Sequence, residues 1–297
     1  MIEYHADDYG ISIEQCRRIL DCHINGRLNG ISIMPNSDIL EEAMEMVRPY
    51  GDKIAYTVHL NLRDGKANAP KEKIPHLVND NGVHKVSFGK YVIGSYVPWM
   101  RKTLRRELAI EFKVQIERLA PYFKDGHIRL DSHGHYHMVP VIFDAIADVI
   151  KDNDLDVTMI RVPRENAGLY FRHRKEIKSF KPVNFVKVAI LNTFARRNIK
   201  KYPGLFAKAK PFDFMGVMLS GQMSYENVYP VYDEAIRLSK EAGNDLELLF
   251  HPGSVHEKEA LAGLNPEGRW FFVDKWREKE ADALKRLPKV DQDVSSR

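Results

Sequence analysis

The stretch His127–His137 reads HIRLDSHGHYH, a short apolar run that ends in an acid and three alternating histidines. Five other runs have the same build: Met1–Asp8, ending IEYHADD; Ile54–Asn61, IAYTVHLN; Val157–Arg161, VTMIR; Met215–Ser220, MGVMLS, which ends only in a serine; and Leu246–His251, LELLFH. Parallel α/β folds and barrels gather their chemistry at the C-terminal ends of strands. The repeated pattern therefore predicts one rim carrying Asp7, Asp8, His59, His133, Arg161 and His251.

The segments between these runs have helical spacing. Ile13–Asn25 places apolar residues on one face and stops at Gly26 and Gly30. Gly30–Met34 reads as a short strand, and Ser37 with Glu41 as a helix start. Thr103–Ala120 is the clearest amphipathic helix. Pro140 opens another, in the first turn where proline is tolerated, and Asn227–Ala242 a third. Alternating strands and helices imply an α/β fold with a parallel sheet, and six or more strands in 297 residues imply a single-domain, distorted (β/α) TIM-like barrel. No GxGxxG follows the first strand, which argues against a dinucleotide fold. The expected domain covers residues 1–287, with excursions near 63–100 and 166–211 and a disordered tail over 288–297.

Charged residues are 29% of the chain and the net charge is +4, values of an ordinary mixed surface. The basic residues are scattered and accompany no recognition motif, which argues against a nucleic-acid partner. Two cysteines, Cys16 and Cys22, face different sides of the first helix and make no disulfide framework. No signal peptide and no run of about 18 apolar residues is present, so a cytoplasmic protein without a membrane span is expected.

The chemistry concentrates in a few side chains. Asp7 and Asp8, adjacent at a strand end, point to opposite sides if the backbone stays extended, one toward a metal and one free to act as a base. His59 and Asn61 share a face of an otherwise apolar strand. In extended backbone Asp131, His133, His135 and His137 also share a face, and packing alone explains three alternating histidines poorly. Imidazole and carboxylate ligands suit Zn, Mn, Co, Ni or Fe, and carboxylate with water admits Mg. His251 before Pro252-Gly253 has the chemistry of a general acid. Arg161 is a candidate holder of a substrate carboxylate, phosphate or oxyanion, or else a structural ion pair. Tyr9, Trp99 and Tyr136 are candidates to stack on a sugar ring, with core packing the competing reading.

Taken in order, ADDYG at Ala6–Gly10, VHLNL at Val58–Leu62, DSHGHYHMVP at Asp131–Pro140 and HPG at His251–Gly253 resemble the YdjC-like carbohydrate deacetylases, the ChbG family. The similarity runs over residues 1–275 and is weak across 63–100 and 166–211. It implies a distorted barrel and a hydrolase that uses a divalent metal ion, Mg or Zn, to remove acetyl groups from N-acetylglucosamine-type or acetylated oligosaccharide substrates. The implied metal ligands are Asp8, His59 and His133, with Asp7 as base and His251 as acid. Asp131 would hold a histidine in its working tautomer, and His135 and His137 would support the ligands or touch substrate. Tyr9, Asn61 and Arg161 remain the substrate-binding candidates, and a homodimer is implied. The chain departs from other members in the basic segment Asn184–Pro211, part of the excursion over 166–211 that reads as a solvated helical stretch or, alternatively, as a face for a phosphorylated or otherwise anionic sugar, and in Gly134, where some relatives carry another histidine. The competing functions are a metal-dependent barrel hydrolase of a phosphoester or other amide, and a non-catalytic sugar- or metal-binding protein.

Overall fold

All seven strand candidates become strands of one parallel sheet. The computed structural model describes residues 1–288; the expected tail lies, from residue 289 on, outside the described residues. The strands are β1 (Ile2–Tyr9), β2 (Gly30–Ile33), β3 (Ala55–Leu60), β4 (Ile128–Ser132), β5 (Val157–Ile160), β6 (Asp213–Met215) and β7 (Leu246–Phe250), in the order β5-β4-β3-β2-β1-β7-β6. The helices are α1 (Ile13–Ile24), α2 (Leu40–Val47), α3 (Phe88–Gly94), α4 (Pro98–Leu119), α5 (Pro140–Asp152), α6 (Ala167–Arg172), α7 (Val183–Lys201), α8 (Pro203–Lys208), α9 (Tyr225–Glu241), α10 (Lys258–Gly263), α11 (Arg269–Val273) and α12 (Trp276–Arg286).

The sheet is curled. From β5 to β7 there are five strand spacings, about 24 Å in a flat sheet. Yet Arg161, just past β5, lies 2.5 Å from Glu247 on β7. Only a barrel-like curl closes that distance. The edges β5 and β6 do not pair with each other, so the barrel is incomplete, the distorted (β/α) barrel that the sequence implied.

The barrel interior is charged. Glu3, His5 and Asp7 alternate along β1 and are all buried. They meet Ser32, Arg129, Asp131, Arg161 and Glu247 from the other strands. The apolar residues of the strands, such as Ile31, Ile33, Val58, Leu130 and Leu248, pack in the surrounding core. Typical (β/α) barrels instead fill the interior with layers of branched apolar side chains. Gly30 makes room for the charges: a Cβ there would sit 2.6 Å from His5 Nδ1 and 2.8 Å from Glu3 Oε1.

Two stretches depart from their expected form. The run Met215–Ser220 supplies a strand only to Met215, because the buried Glu165 carboxylate accepts the backbone N–H groups of Gly216, Val217 and Met218 and takes them out of any ladder. The excursion over 63–100 is tied to α4, whose buried Glu111 accepts Asn68 and Ala69 N–H and whose Glu107 accepts His76 N–H. Cys16 and Cys22 are both free and buried. Among the described residues no helix is long and apolar enough to cross a membrane.

Replacing Gly30 with alanine should crowd the Glu3–His5 pair and lower stability by about 1–3 kcal/mol in thermal or denaturant unfolding; an unchanged melting temperature would show that the pair gives way freely.

Candidate functional site

The strand ends β1, β3, β4 and β7 deliver the predicted acids and histidines to one place. Asp8 adopts φ 67°, a left-handed conformation that costs a non-glycine residue energy, and the β1–β2 register shifts between Ala6 and Tyr9. The adjacent carboxylates consequently do not diverge as extended backbone would require. His59 Nε2 lies 3.2 Å from Asp8 Oδ1 and 3.9 Å from Asp7 Oδ2. His133 Nδ1 lies 2.7 Å from the same Asp8 oxygen.

One donor atom each from Asp8, His59 and His133 falls within 4.8 Å of the others, all three residues buried. His59 Nε2, 3.2 Å from Asp8 Oδ1, is also buried without a hydrogen-bond partner. Two imidazoles, one with an unsatisfied nitrogen, and one carboxylate fit a divalent cation of the Zn type.

Electrostatics agree with that fit. Burial opposes charge on His59, yet Asp131 and Asp7 raise it to about 10. Burial likewise opposes charge on His133, which Asp8 and Asp64 raise to about 9. Burial alone would raise the Asp8 carboxyl, but the His133 and His59 imidazoles hold it well below the usual carboxylate range. A cation would take the place of those protons.

Asp7 and His251 line a cavity of about 350 Å³ beside this cluster. His251 Nε2 is 3.9 Å from Asp7 Oδ2, and the backbone N–H of His251 donates to Glu280 at 2.5 Å. Burial holds the His251 imidazole below its ordinary value, against the pull of Glu280, Asp8 and Asp7. His133, His135 and Tyr136 complete the floor, and Trp270, Phe271 and Phe272 form an aromatic wall.

Several expected substrate contacts lie elsewhere. Arg161 is 1% exposed and bridges Asp7, Asp131 and Glu247 at 2.9, 2.6 and 2.5 Å, so its charge is already matched inside the barrel. Tyr9 is fully buried and donates its hydroxyl to Ala43 O. Asn61 is also buried: its amide binds Asp64 O and its carbonyl accepts the N–H groups of Arg63 and Asp64. Trp99 is exposed and does not line the cavity.

The histidine motif is not one extended face. β4 stops at Ser132, and residues 133–138 form a tight turn with Gly134 at φ 61° and His135 at φ 59°. Asp131 reaches His59 Nδ1 at 2.7 Å, the buttress the sequence suggested. His135 lines the cavity, held well below its ordinary value by burial and by Arg161. His137 spends Nδ1 on Ser132 Oγ and Nε2 on Arg161 O, so it braces the turn.

Sequence reasoning missed Asp64, whose Oδ2 lies 3.0 Å from His133 Nε2, and the cations Arg63, Lys181 and Lys187 on the cavity wall. The only signal for Asp64 was an acid before Gly65 at the start of a long loop.

The profile of a family described as YdjC-like protein matches residues 2–292. Proteins from Yersinia pestis (strain Pestoides F) and Yersinia pseudotuberculosis serotype O:1b (strain IP 31758), both named chitooligosaccharide deacetylase, are 29% identical over 169 residues, 56% of this chain. The match spans 61% of the length of those relatives. A crystal structure from Enterococcus faecalis V583, described as that of a candidate cellobiose-phosphate cleavage protein, superposes with a TM-score of 0.58 at 19% identity, covering 96% of this chain and 90% of the other. That likeness is one of fold.

In cation-free protein, the stabilisation due to protonated His133 is complete below the unfolded value of 6.5, declines above it and is gone past about 9. With chelator present, the melting-temperature advantage of wild type over His133→Gln should therefore shrink between about pH 7 and about pH 10. An advantage that does not change with pH would mean that His133 carries no extra proton.

Proposed function

Because this chain belongs to the YdjC-like family, we propose that it is a metal-dependent carbohydrate N-deacetylase, hydrolysing the acetamido group of an N-acetylglucosamine-type sugar. The observation that carries this reading is the clustering of Asp8, His59 and His133 beside Asp7 and His251, with Asp7, His133 and His251 lining one cavity. The deacetylase name of the Yersinia relatives supports the reaction type.

Asp8, His59 and His133 would hold the divalent cation, and two imidazoles favour Zn over Mg. When bound, such a cation polarises an amide carbonyl and lowers the pKa of water to about 7. Asp7 takes a proton from the attacking water as the C–O bond forms at the acetyl carbon. Arg161, 2.9 Å from Asp7, fixes the carboxylate's direction. His251 delivers a proton to the nitrogen as the C–N bond breaks, and acetic acid and a free amine leave, the acid giving up its proton to water. Its environment makes the imidazolium a stronger acid than usual, since burial favours the neutral ring. The 3.9 Å between Asp7 and His251 is short enough for the proton gained by one to restore the other through a single water.

Tyr136, Trp270 and Phe271 offer faces for a sugar ring. Arg63, Lys181 and Lys187 line the wall of the same cavity. Burial and the neighbouring Lys181 and Arg63 charges push the Lys187 ammonium down, which favours an anionic group beside it. The substrate is therefore read as an acetylated sugar with a phosphate or carboxylate. The same cations would suit a phosphoester hydrolase, which the assay separates.

Acetate and phosphate release should be measured on neutral and phosphorylated N-acetylglucosamine derivatives, with added metal or chelator. Acetate release that depends on metal and falls by about 10²–10⁴ in Asp7→Asn, with the fold intact, is expected; phosphate release without acetate would overturn the deacetylase. Lys187→Met should raise KM for anionic over neutral sugars roughly fivefold, about 1 kcal/mol of charge pairing at the rim.

A further inference from the structure

Each of the two histidines of the cluster has a second carboxylate at its far side. For His59 it is Asp131, 2.7 Å from Nδ1, which leaves Nε2 facing Asp8. For His133 it is Asp64, whose Oδ2 lies 3.0 Å from Nε2 and which leaves Nδ1 facing Asp8 at 2.7 Å. We propose that Asp64 is a positioning residue: it accepts the Nε2–H of His133, so that Nδ1 keeps its lone pair for the cation, and it anchors the loop before the aromatic wall to the same point. The proposal rests on reading Asp8, His59 and His133 as the cation's ligands.

The surroundings suit Asp64 to this task. It is 1% exposed, and neutral imidazole carries one N–H, so whichever nitrogen meets the stronger buried acceptor keeps the proton. His133 offers Nδ1 to Asp8 and Nε2 to Asp64. A cation on the Asp8 side makes Asp64 the place for the hydrogen. Oδ2 of Asp64 and Nε2 of His133 are both buried without a hydrogen-bond partner and lie 3.0 Å apart as an ion pair, so a small turn of the ring lets each satisfy the other. Arg63 Nε, 3.9 Å from Oδ2, is too distant to take over that role. The other oxygen, Oδ1, accepts the Asn265 N–H at 2.6 Å. Three residues on, a Cβ at Gly268 would collide with the Arg63 guanidinium, and Trp270, Phe271 and Phe272 follow on the cavity wall. Asn61 locks the turn that presents Asp64 from both its amide and its carbonyl, which accounts for a buried asparagine next to the site. Partners that orient a metal-binding histidine commonly contribute 10–100-fold in metal affinity.

The sharp variant is Asp64→Asn. Its carbonyl can still accept the Asn265 N–H, while its NH₂ faces His133 Nε2 and forces the ring hydrogen onto Nδ1. Three quantities are read in the full-length protein: Zn²⁺ affinity by competition with a chromophoric chelator, the ¹H and ¹⁵N shifts of the His133 ring in the Zn²⁺-bound protein, and the melting temperature. Expected are a roughly 10–100-fold loss of Zn²⁺ affinity, a downfield His133 Nε2–H resonance in wild type that moves upfield in the variant, and a melting temperature close to wild type. Unchanged affinity, or lost affinity with an unchanged Nε2–H resonance, would overturn the proposal and leave Asp64 as a loop anchor only. If the variant unfolds, Asp64→Glu, which retains an acceptor, must keep the downfield Nε2–H resonance, or the proposal fails. Should wild type itself bind no Zn²⁺, the ligand assignment falls and the proposal with it, an outcome distinct from a loss confined to the variant.

Discussion

The guanidinium of Arg161 is the interaction on which the rest of this structure depends. Three carboxylates, Asp7 from β1, Asp131 from β4 and Glu247 from β7, meet it inside the barrel with almost no water. Burial pushes the Glu247 carboxyl up even beside Arg161, whereas Asp131 stays far below the ordinary carboxylate range, drawn down by Arg161 and His59 despite its burial. Removing one partner from such a buried set costs about 3–5 kcal/mol, because the others are left uncompensated. The same residue curls the sheet, since it joins strands that a flat sheet would hold far apart. Fold and charge pairing are thus one constraint: the curl exists where the charges can meet.

Strain collects next to that constraint. Asp8 and His135, neither a glycine, sit in the left-handed region, one at the end of β1 and one in the turn after β4. Left-handed residues of this kind persist where their surroundings over-determine them. Here the surroundings are hydrogen bonds: Gln15 Nε2 donates to Asp8 O, and Ser132 and His137 close the turn that holds His135. The energy stored in two backbone positions keeps two carboxylates on one centre and puts an uncharged imidazole on the cavity floor.

Much of this was legible in the sequence, and what was not has definable causes. The strand runs were readable because a parallel sheet needs apolar stretches, and their polar last residues marked the rim. Asp8, His59, His133, Asp7 and His251 stood out for the same reason. The histidine repeat misled because alternation implies one face only while the backbone is extended, and Gly134 ends that condition. Tyr9 and Asn61 read as site residues from their neighbours, but a hydroxyl buried against Ala43 and an amide used to fold a turn leave no direct trace in composition. Arg161 had an ion pair as its competing reading, and the interior supplied three partners instead of one. Asp64 and the wall cations sit in stretches without periodicity, where position is decided by long-range contacts such as the buried glutamates of α4.

The open seam between β5 and β6 separates two kinds of evolutionary freedom. The chain leaves β5, builds α6, α7 and α8, and returns as β6; α8 packs on β5, and α7 lends Lys187, Ile190 and Leu191 to the cavity. The proton-handling residues all come from the other side of the barrel or from its floor. A lineage could exchange or resize this one inserted stretch, and so retune which molecules are admitted, without disturbing the ionic lattice that does the bond breaking. Chains of this architecture should therefore diverge fastest between residues 166 and 211 and slowest among the charges that never see solvent.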